Sequence, residues 1–499
     1  MGGIFDIHSI FVVRRVIMSR GQMKYTSFNL AARALLVLAA LGNAGASLAA
    51  SAASGKSSPA TVKKLEAKVD DLSQQLAELR QQLQDMKQQN ATLATQQQQT
   101  AQQTQQTVVT QQQLQTEVAA ATQAAQQAQA KISPWENVSL WGYGEIYYAR
   151  PTRRSDLTRA DLARAVFGIG YQFDDKTRFN SEFEIEHAIT SASDVGEFEV
   201  EQFYVDHKFN DKISAKAGLF LIPAGLLNEN HEPTNFYGVQ RNFVETLIIP
   251  STWREGGVQL YGDTDFGLGW NVGLTTGLDL SKWNFSPTSP QYQSALELIN
   301  NSVAPMQATH QELAGANAQK LSQFVALNYR GLPGLTVGGS YFTGGVVRSI
   351  PDVPNNERVN LWETHVRYQP GKWDFSALYA HGSFTHTAEA NALNPGATNP
   401  LPASFYGWYA QAAYNLWQSG EYRVAPFLRY ERYNMAASYE GIAAGASTTP
   451  DGFPSPRDTV VTIGANFYLN PKVVFKIDYQ RFKVNRDFSR IDLGLGLQF

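Results

Sequence analysis

The chain has 499 residues, no cysteine, 12% aromatic residues and a formal charge of −3. That length suits two or three ordinary domains or one large barrel, and the missing cysteine excludes disulfides, thiolate metal sites and a cysteine nucleophile. From Trp135 onward, 29 Lys and Arg stand against 37 Asp and Glu, so there is no basic excess for nucleic acid.

Residues 1–22 fit no part of a targeting segment, and Met23 is the expected initiator. Lys24 and Arg33 then form a positive region, Ala34 to Leu41 a short apolar core, and small residues follow with cleavage expected after Ala49, Ala50 or Ala52. Residues 23–52 therefore read as a secretory signal peptide.

After Pro59, Val62, Leu65, Val69, Leu72, Leu76, Leu79, Leu83 and Met86 are spaced alternately three and four apart, with Asn90 and Leu93 in the same register. These are the a and d positions of a coiled coil. A Gln- and Thr-rich tract follows from Gln96 to Gln113, yet Leu114, Val118 and Ile132 keep the heptad frame. The expectation for 59–132 is one interrupted helical stem. A coiled coil needs partner strands, so the chain is expected to form a homo-oligomer, a trimer.

From Val138 the pattern has period two, the mark of strands with one apolar and one polar face. Phe179, Phe183 and Ile185 oppose Arg178, Asn180, Glu182, Glu184 and Glu186, and Val473, Phe475, Ile477 and Tyr479 oppose Lys476, Asp478 and Gln480. Short turns, such as Asp174 to Lys176, Asn210 to Lys212 and Asn470 to Lys472, alternate with long stretches such as Leu221 to Trp253 and Ser281 to Lys320. Only Asn485 to Asp487 is short where a long connection is due. Sorting loops by side in this way predicts an up-and-down transmembrane β-barrel with periplasmic turns. The count is about 16 antiparallel strands over 135–499. The stretch Ser489 to Phe499 alternates without a break, with Ile491, Leu493, Leu495, Leu497 and Phe499 on one face. It reads as the closing strand. Gly168 and Gly170 fall mid-strand, where glycine relieves crowding.

The runs Ala217-Gly218-Leu219-Phe220-Leu221-Ile222-Pro223-Ala224-Gly225-Leu226 and Ile249-Pro250-Ser251-Thr252-Trp253-Arg254-Glu255-Gly256-Gly257 resemble the phosphate-selective porin O/P superfamily. The heptad stem ahead of the barrel is similar to its DcaP-like branch. The resemblance implies an outer-membrane porin whose long loop after the fifth strand, Pro223 to Trp253, folds into the pore. On that implication Arg241, Arg254, Glu245, His231 and Glu232 are constriction residues. The chain departs from the phosphate-selective pattern in its wall charges. Parity turns Arg178, Lys216, Arg330, Arg367, Arg423, Arg429, Lys476 and Arg490 inward, together with Glu145, Glu182, Glu184, Glu186, Glu363, Asp374, Glu431, Asp478 and Asp492. That near balance is no basic ladder.

The eight histidines form no metal-ligand spacing, and no phosphate or dinucleotide fingerprint occurs. No enzyme, cofactor or metal is expected. The reading is passive diffusion of small hydrophilic solutes, organic or inorganic anions among them, through an outer-membrane barrel in contact with lipid, with the stem in the periplasm. The alternative is a structural anchor whose coiled coil tethers the envelope.

Overall fold

The computed structural model describes residues 59–129, 135–191, 196–287, 303–348, 355–443 and 445–499. The upstream segment 1–22, the signal peptide 23–52 and Ile132 lie outside the described residues. Two compact units divide the chain at Lys131 and Ile132.

The first unit carries helix α1, Pro59–Gln129, 71 residues long. It extends about 105 Å at the helical rise per residue. Where an interruption was expected at the Gln-rich tract, the helix is continuous. Glutamine is a good helix former, so the tract carries the helix through. The heptad residues Val62, Val69, Leu76, Leu83 and Leu93 are exposed on the single chain.

The second unit is a closed antiparallel barrel. Its segments are β1 (Val138–Pro151), β2 (Arg159–Gln172), β3 (Thr177–Glu186), β4 (Glu197–Asn210), β5 (Ile213–Leu221), β6 (Arg254–Asp263), β7 (Leu268–Thr276), β8 (Leu321–Tyr329) and β9 (Leu335–Gly345). They continue as β10 (Arg358–Tyr368), β11 (Trp373–Phe384), β12 (Pro402–Tyr414), β13 (Trp417–Ser419), β14 (Tyr422–Tyr439), β15 (Arg457–Asn470), β16 (Val473–Phe482) and β17 (Arg490–Gln498). The short β13 extends β12 along the same neighbour, β14, so the wall has 16 strands. Each strand pairs with the next, and β17 returns to β1. Closure removes the sheet edges, so the strands hydrogen-bond to one another all the way round, as lipid requires.

Alternation along the strands separates two surfaces. Phe167, Ile169, Val258, Leu260, Val272, Leu274, Ile463, Phe475, Ile477, Ile491 and Leu493 are exposed outward, while Arg429, Glu431, Asp458, Asn466, Lys476, Asp478, Gln480 and Asp492 are buried inward. Near the short turns, Phe173, Phe209, Phe266, Tyr368, Trp373, Trp417, Tyr422 and Phe499 are exposed, forming an interfacial aromatic girdle. Phe499 continues the closing ladder, its amide donating to the Gly142 carbonyl at 2.9 Å. Its ring covers Gly142, where a Cβ would come 2.7 Å from Phe499 Cζ. Inside, the indole of Trp141 occupies the space that a side chain at Gly168 would need, 2.0 Å from such a Cβ.

Candidate functional site

The connection from β5 to β6 does not project outward. It turns into the lumen and packs against the inner wall. Val244, Leu247, Ile248, Ile249 and Trp253 join Phe342, Phe405, Tyr409 and Tyr433 in one buried apolar cluster. Phe243 meets Phe482 at 5.2 Å and Trp253 meets Phe342 at 4.6 Å, both edge to face. Each such side chain contributes about 1.5–3 kcal/mol by leaving water, which makes the loop a folded plug rather than a mobile arm.

A neck closes the loop. Asn228 Nδ2 donates to the carbonyls of Ile222 and Trp253 at 2.7 and 2.8 Å, and its Oδ1 accepts from the Trp253 amide at 2.7 Å. Short helix α2, Val244–Leu247, carries Glu245. That carboxylate accepts from the amides of Leu226 and Leu227 at 2.6 and 2.8 Å, from Asn242 Nδ2 at 2.7 Å and from the Tyr409 hydroxyl at 2.9 Å. Burial pushes Glu245 up from the usual carboxylate range, and these bonds oppose the rise. Gly225, with φ of +77°, lets the chain pass so close that a Cβ would sit 2.4 Å from Glu245 Oε1.

The wall supplies the outer clamps. Asp478 Oδ2 accepts from the Val239 amide at 2.6 Å and Glu431 Oε2 from the Phe243 amide at 2.6 Å. Asn466 accepts from the Gly238 amide at 3.2 Å and donates to the Phe236 carbonyl at 3.1 Å. Arg429 donates to the carbonyls of Tyr237 and Gln240, and its Nε donates to Glu431 at 3.0 Å. Lys476 Nζ lies 3.5 Å from the centre of the Phe236 ring. Arg429 and Lys476, expected on the open pore wall, are thus buried beneath the loop. Parity speaks to the face of a strand residue and not to what covers it.

Two cavities flank the loop. One, of about 510 Å³, lies toward the short turns and includes Glu229, Arg330, His365, Arg367, Asp374 and Arg423. Arg367 holds Asp374 through Nε at 3.0 Å and Nη2 at 2.6 Å, and Arg423 stacks 3.9 Å from the Tyr468 ring centre. The remaining wall cations lie elsewhere. Arg178 pairs with Asp206 at 2.8 Å, and Lys216 sits 5.2 Å from the rings of both Tyr204 and Tyr261.

The other cavity, of about 450 Å³, lies toward the long loops. It is lined by the carboxylates Glu145, Asp161, Glu184, Glu186, Glu197, Glu199 and Glu312 and by the cations Arg164, Arg241, Arg254 and Lys282. Arg164 pairs with Glu145 at 3.0 Å and Glu184 at 3.2 Å. Arg254 pairs with Glu199 and, at 3.1 Å, with Glu312. Arg241 donates to the hydroxyls of Ser251 and Thr252 and to the His231 carbonyl. Among the described residues no carboxylate lies within ion-pair distance of Arg241, Glu245 included. His310 borders the same space. Burial, with Arg254 and Lys282 nearby, pushes it down to about 3.

Of the constriction residues expected from sequence, Arg241 and Arg254 share this chamber. His231 and Glu245 are buried in the loop's own framework, and Glu232 accepts from Asn235 Nδ2 at 2.7 Å. Arg164 stands in β2 and is absent from the inward set expected from sequence. Carrying the outward series Tyr171, Ile169 and Phe167 back along β2 places Arg164 on the inner face. The Trp-Arg-Glu-Gly-Gly run now has a physical reading. Trp253 wedges against the core, Arg254 faces the chamber, Glu255 accepts from Thr276 and the Gln311 amide, and Gly256 lies under Leu313.

Residues 140–489 match the family described as phosphate-selective porin O and P. An uncharacterized protein of Aquifex aeolicus is 30% identical over 358 residues, covering 69% of this chain and 76% of that protein. Among solved structures, Salmonella typhi OmpF in complex with daunomycin aligns with a TM-score of 0.46 at 14% identity, over 74% of this chain and 99% of that one. The anion-selective porin of Comamonas acidovorans aligns with a TM-score of 0.42 at 11% identity, over 72% and 98%. With a lumen narrowed by its own folded loop and a family match across nearly the whole barrel, this chain belongs to the phosphate-selective porin O and P family of outer-membrane porins.

Proposed function

We propose that the porin passes small hydrophilic solutes by passive diffusion, and that the chamber beside Arg241 sets its charge preference. The observation that carries this reading is the inward fold of residues 222–253, braced from the wall and bordered by a charged cavity on each side. Within the outer chamber, Arg164 and Arg254 are bound to glutamates while Arg241 holds only neutral oxygens. Arg241 is therefore the chamber's first contact for a small organic anion, with Arg254 second. A narrow, low-dielectric passage amplifies each such charge. Seven carboxylates beside four cations argue against a phosphate-dedicated path, since a doubly charged anion would meet an acidic excess in this chamber.

The exposed heptad stripe of α1 supports a homo-oligomer, a trimer joined through a periplasmic coiled coil. A structural tether is the second reading, favoured by that helix alone. Purified protein in a planar bilayer separates the two. Stable, salt-dependent open channels support the porin, whereas a folded barrel without conductance supports the tether.

A further inference from the structure

We infer that Glu182, Glu201 and His231 form a binding site for one divalent transition-metal ion, with zinc as the fitting probe, that pins the neck of the pore loop to β3 and β4. The three side chains come from separate segments, and their donor atoms all lie within 4.8 Å of one another. No spacing in the sequence could reveal them. Glu201 reaches the site through a break in register. Opposite Glu182 and Phe183 stand Gln202 and Val200, so Glu201 is the extra residue of a β-bulge. A bulge re-aims a side chain, and here Glu201 is wholly buried.

The hydrogen atoms present do not satisfy this cluster. His231 Nδ1 lies 2.8 Å from the Asn228 carbonyl, which can only accept, so Nδ1 carries the proton and Nε2 a lone pair. An imidazole fixed this way by a backbone carbonyl is prepared for metal ligation. Nε2 is 2.7 Å from the Tyr143 hydroxyl, which is also 2.9 Å from Glu201 Oε2. One phenolic proton serves one of these two acceptors and leaves the other facing oxygen. Glu201 Oε1 meets no N–H or hydroxyl donor and lies 3.9 Å from His231 Nε2; its remaining neighbour is the Glu184 carboxyl, with which it can share only a single proton. Arg164 and Arg254 are engaged with other glutamates. Glu182 is oriented by Trp141 Nε1 at 2.6 Å and by Gln202. A divalent cation would take up the lone pairs of all three groups at the point where they converge. One imidazole nitrogen with carboxylate oxygens suits zinc and its neighbours, while calcium and magnesium prefer oxygen alone.

The test uses untagged, full-chain protein folded in detergent, stripped with chelator and then titrated with Zn²⁺ and, separately, Ca²⁺. The expected result is one Zn²⁺ per chain, with affinity at least tenfold weaker in Glu201→Gln and in His231→Gln. Zinc should also raise the temperature of heat-modified migration in the wild type only. Zinc-edge absorption of the wild type, which needs no variant, should show an imidazole nitrogen at about 2.0–2.1 Å. Equal zinc uptake by wild type and both variants, absence of uptake, or an oxygen-only zinc shell would each overturn the assignment.

Discussion

Arg429 and Arg241 enter the same lumen, yet they serve opposite faces of one loop. Arg429 comes from the wall, lies beneath the loop and donates to its carbonyls. Arg241 belongs to the loop itself, faces the outer chamber and binds hydroxyls. The first side is a hydrogen-bonded clamp in which Glu431, Asp478 and Asn466 complete the backbone bonding of an irregular segment. The second is a cavity wall of unlike charges. An inward charged residue in this barrel thus has two fates, and which one it meets depends on where the loop lies.

The largest expected effect comes from releasing the clamp. Replacing Glu431 and Asp478 together with Ala leaves two buried loop amides without acceptors, at about 1–3 kcal/mol each. Single-channel conductance should rise severalfold and fluctuate, while the barrel still shows heat-modifiable migration. Conductance and noise equal to wild type would mean that the apolar packing holds the loop unaided.

A comparison of two phenylalanines sharpens the same division between wall and loop. Removing Phe499 takes away the ring over Gly142 and the last bonds of the β1–β17 seam. It should lower the amount of assembled barrel several-fold. Phe482 is buried against Phe243 and Phe488, and Phe482→Ala should cost about 3–5 kcal/mol in loop packing while assembly proceeds. Membrane levels by quantitative immunoblot separate them, and equal losses in both variants would contradict the distinction.

The wall was legible in the sequence because its physics is local. Phe167, Ile169 and Tyr171 must meet lipid, and Asp478 and Gln480 must not, so period two and the sorting of turns gave the strands, their number and their faces. The path of the 222–253 loop was not derivable from its own residues. It entered the reading through the resemblance, and its partners, Glu431 and Asp478 among them, lie about two hundred residues away in sequence, at separations of 188 and 239. Bulges were the second blind spot. The register shift beside Glu201 breaks the alternation that parity counting relies on. The stem's heptads were plain, but the expectation of an interruption gave too little weight to the helix propensity of glutamine.

On the proposed function, the outer chamber sets the sign of the channel's preference through Arg241 and Arg254. The direct measurement is the reversal potential of single channels in a salt gradient, for wild type and for Arg241→Ala with Arg254→Ala. The expected result is a shift toward cation preference with the channel still open, because the remaining carboxylates of that chamber then dominate its field. An unchanged reversal potential in open channels would contradict it and assign both arginines to bracing alone.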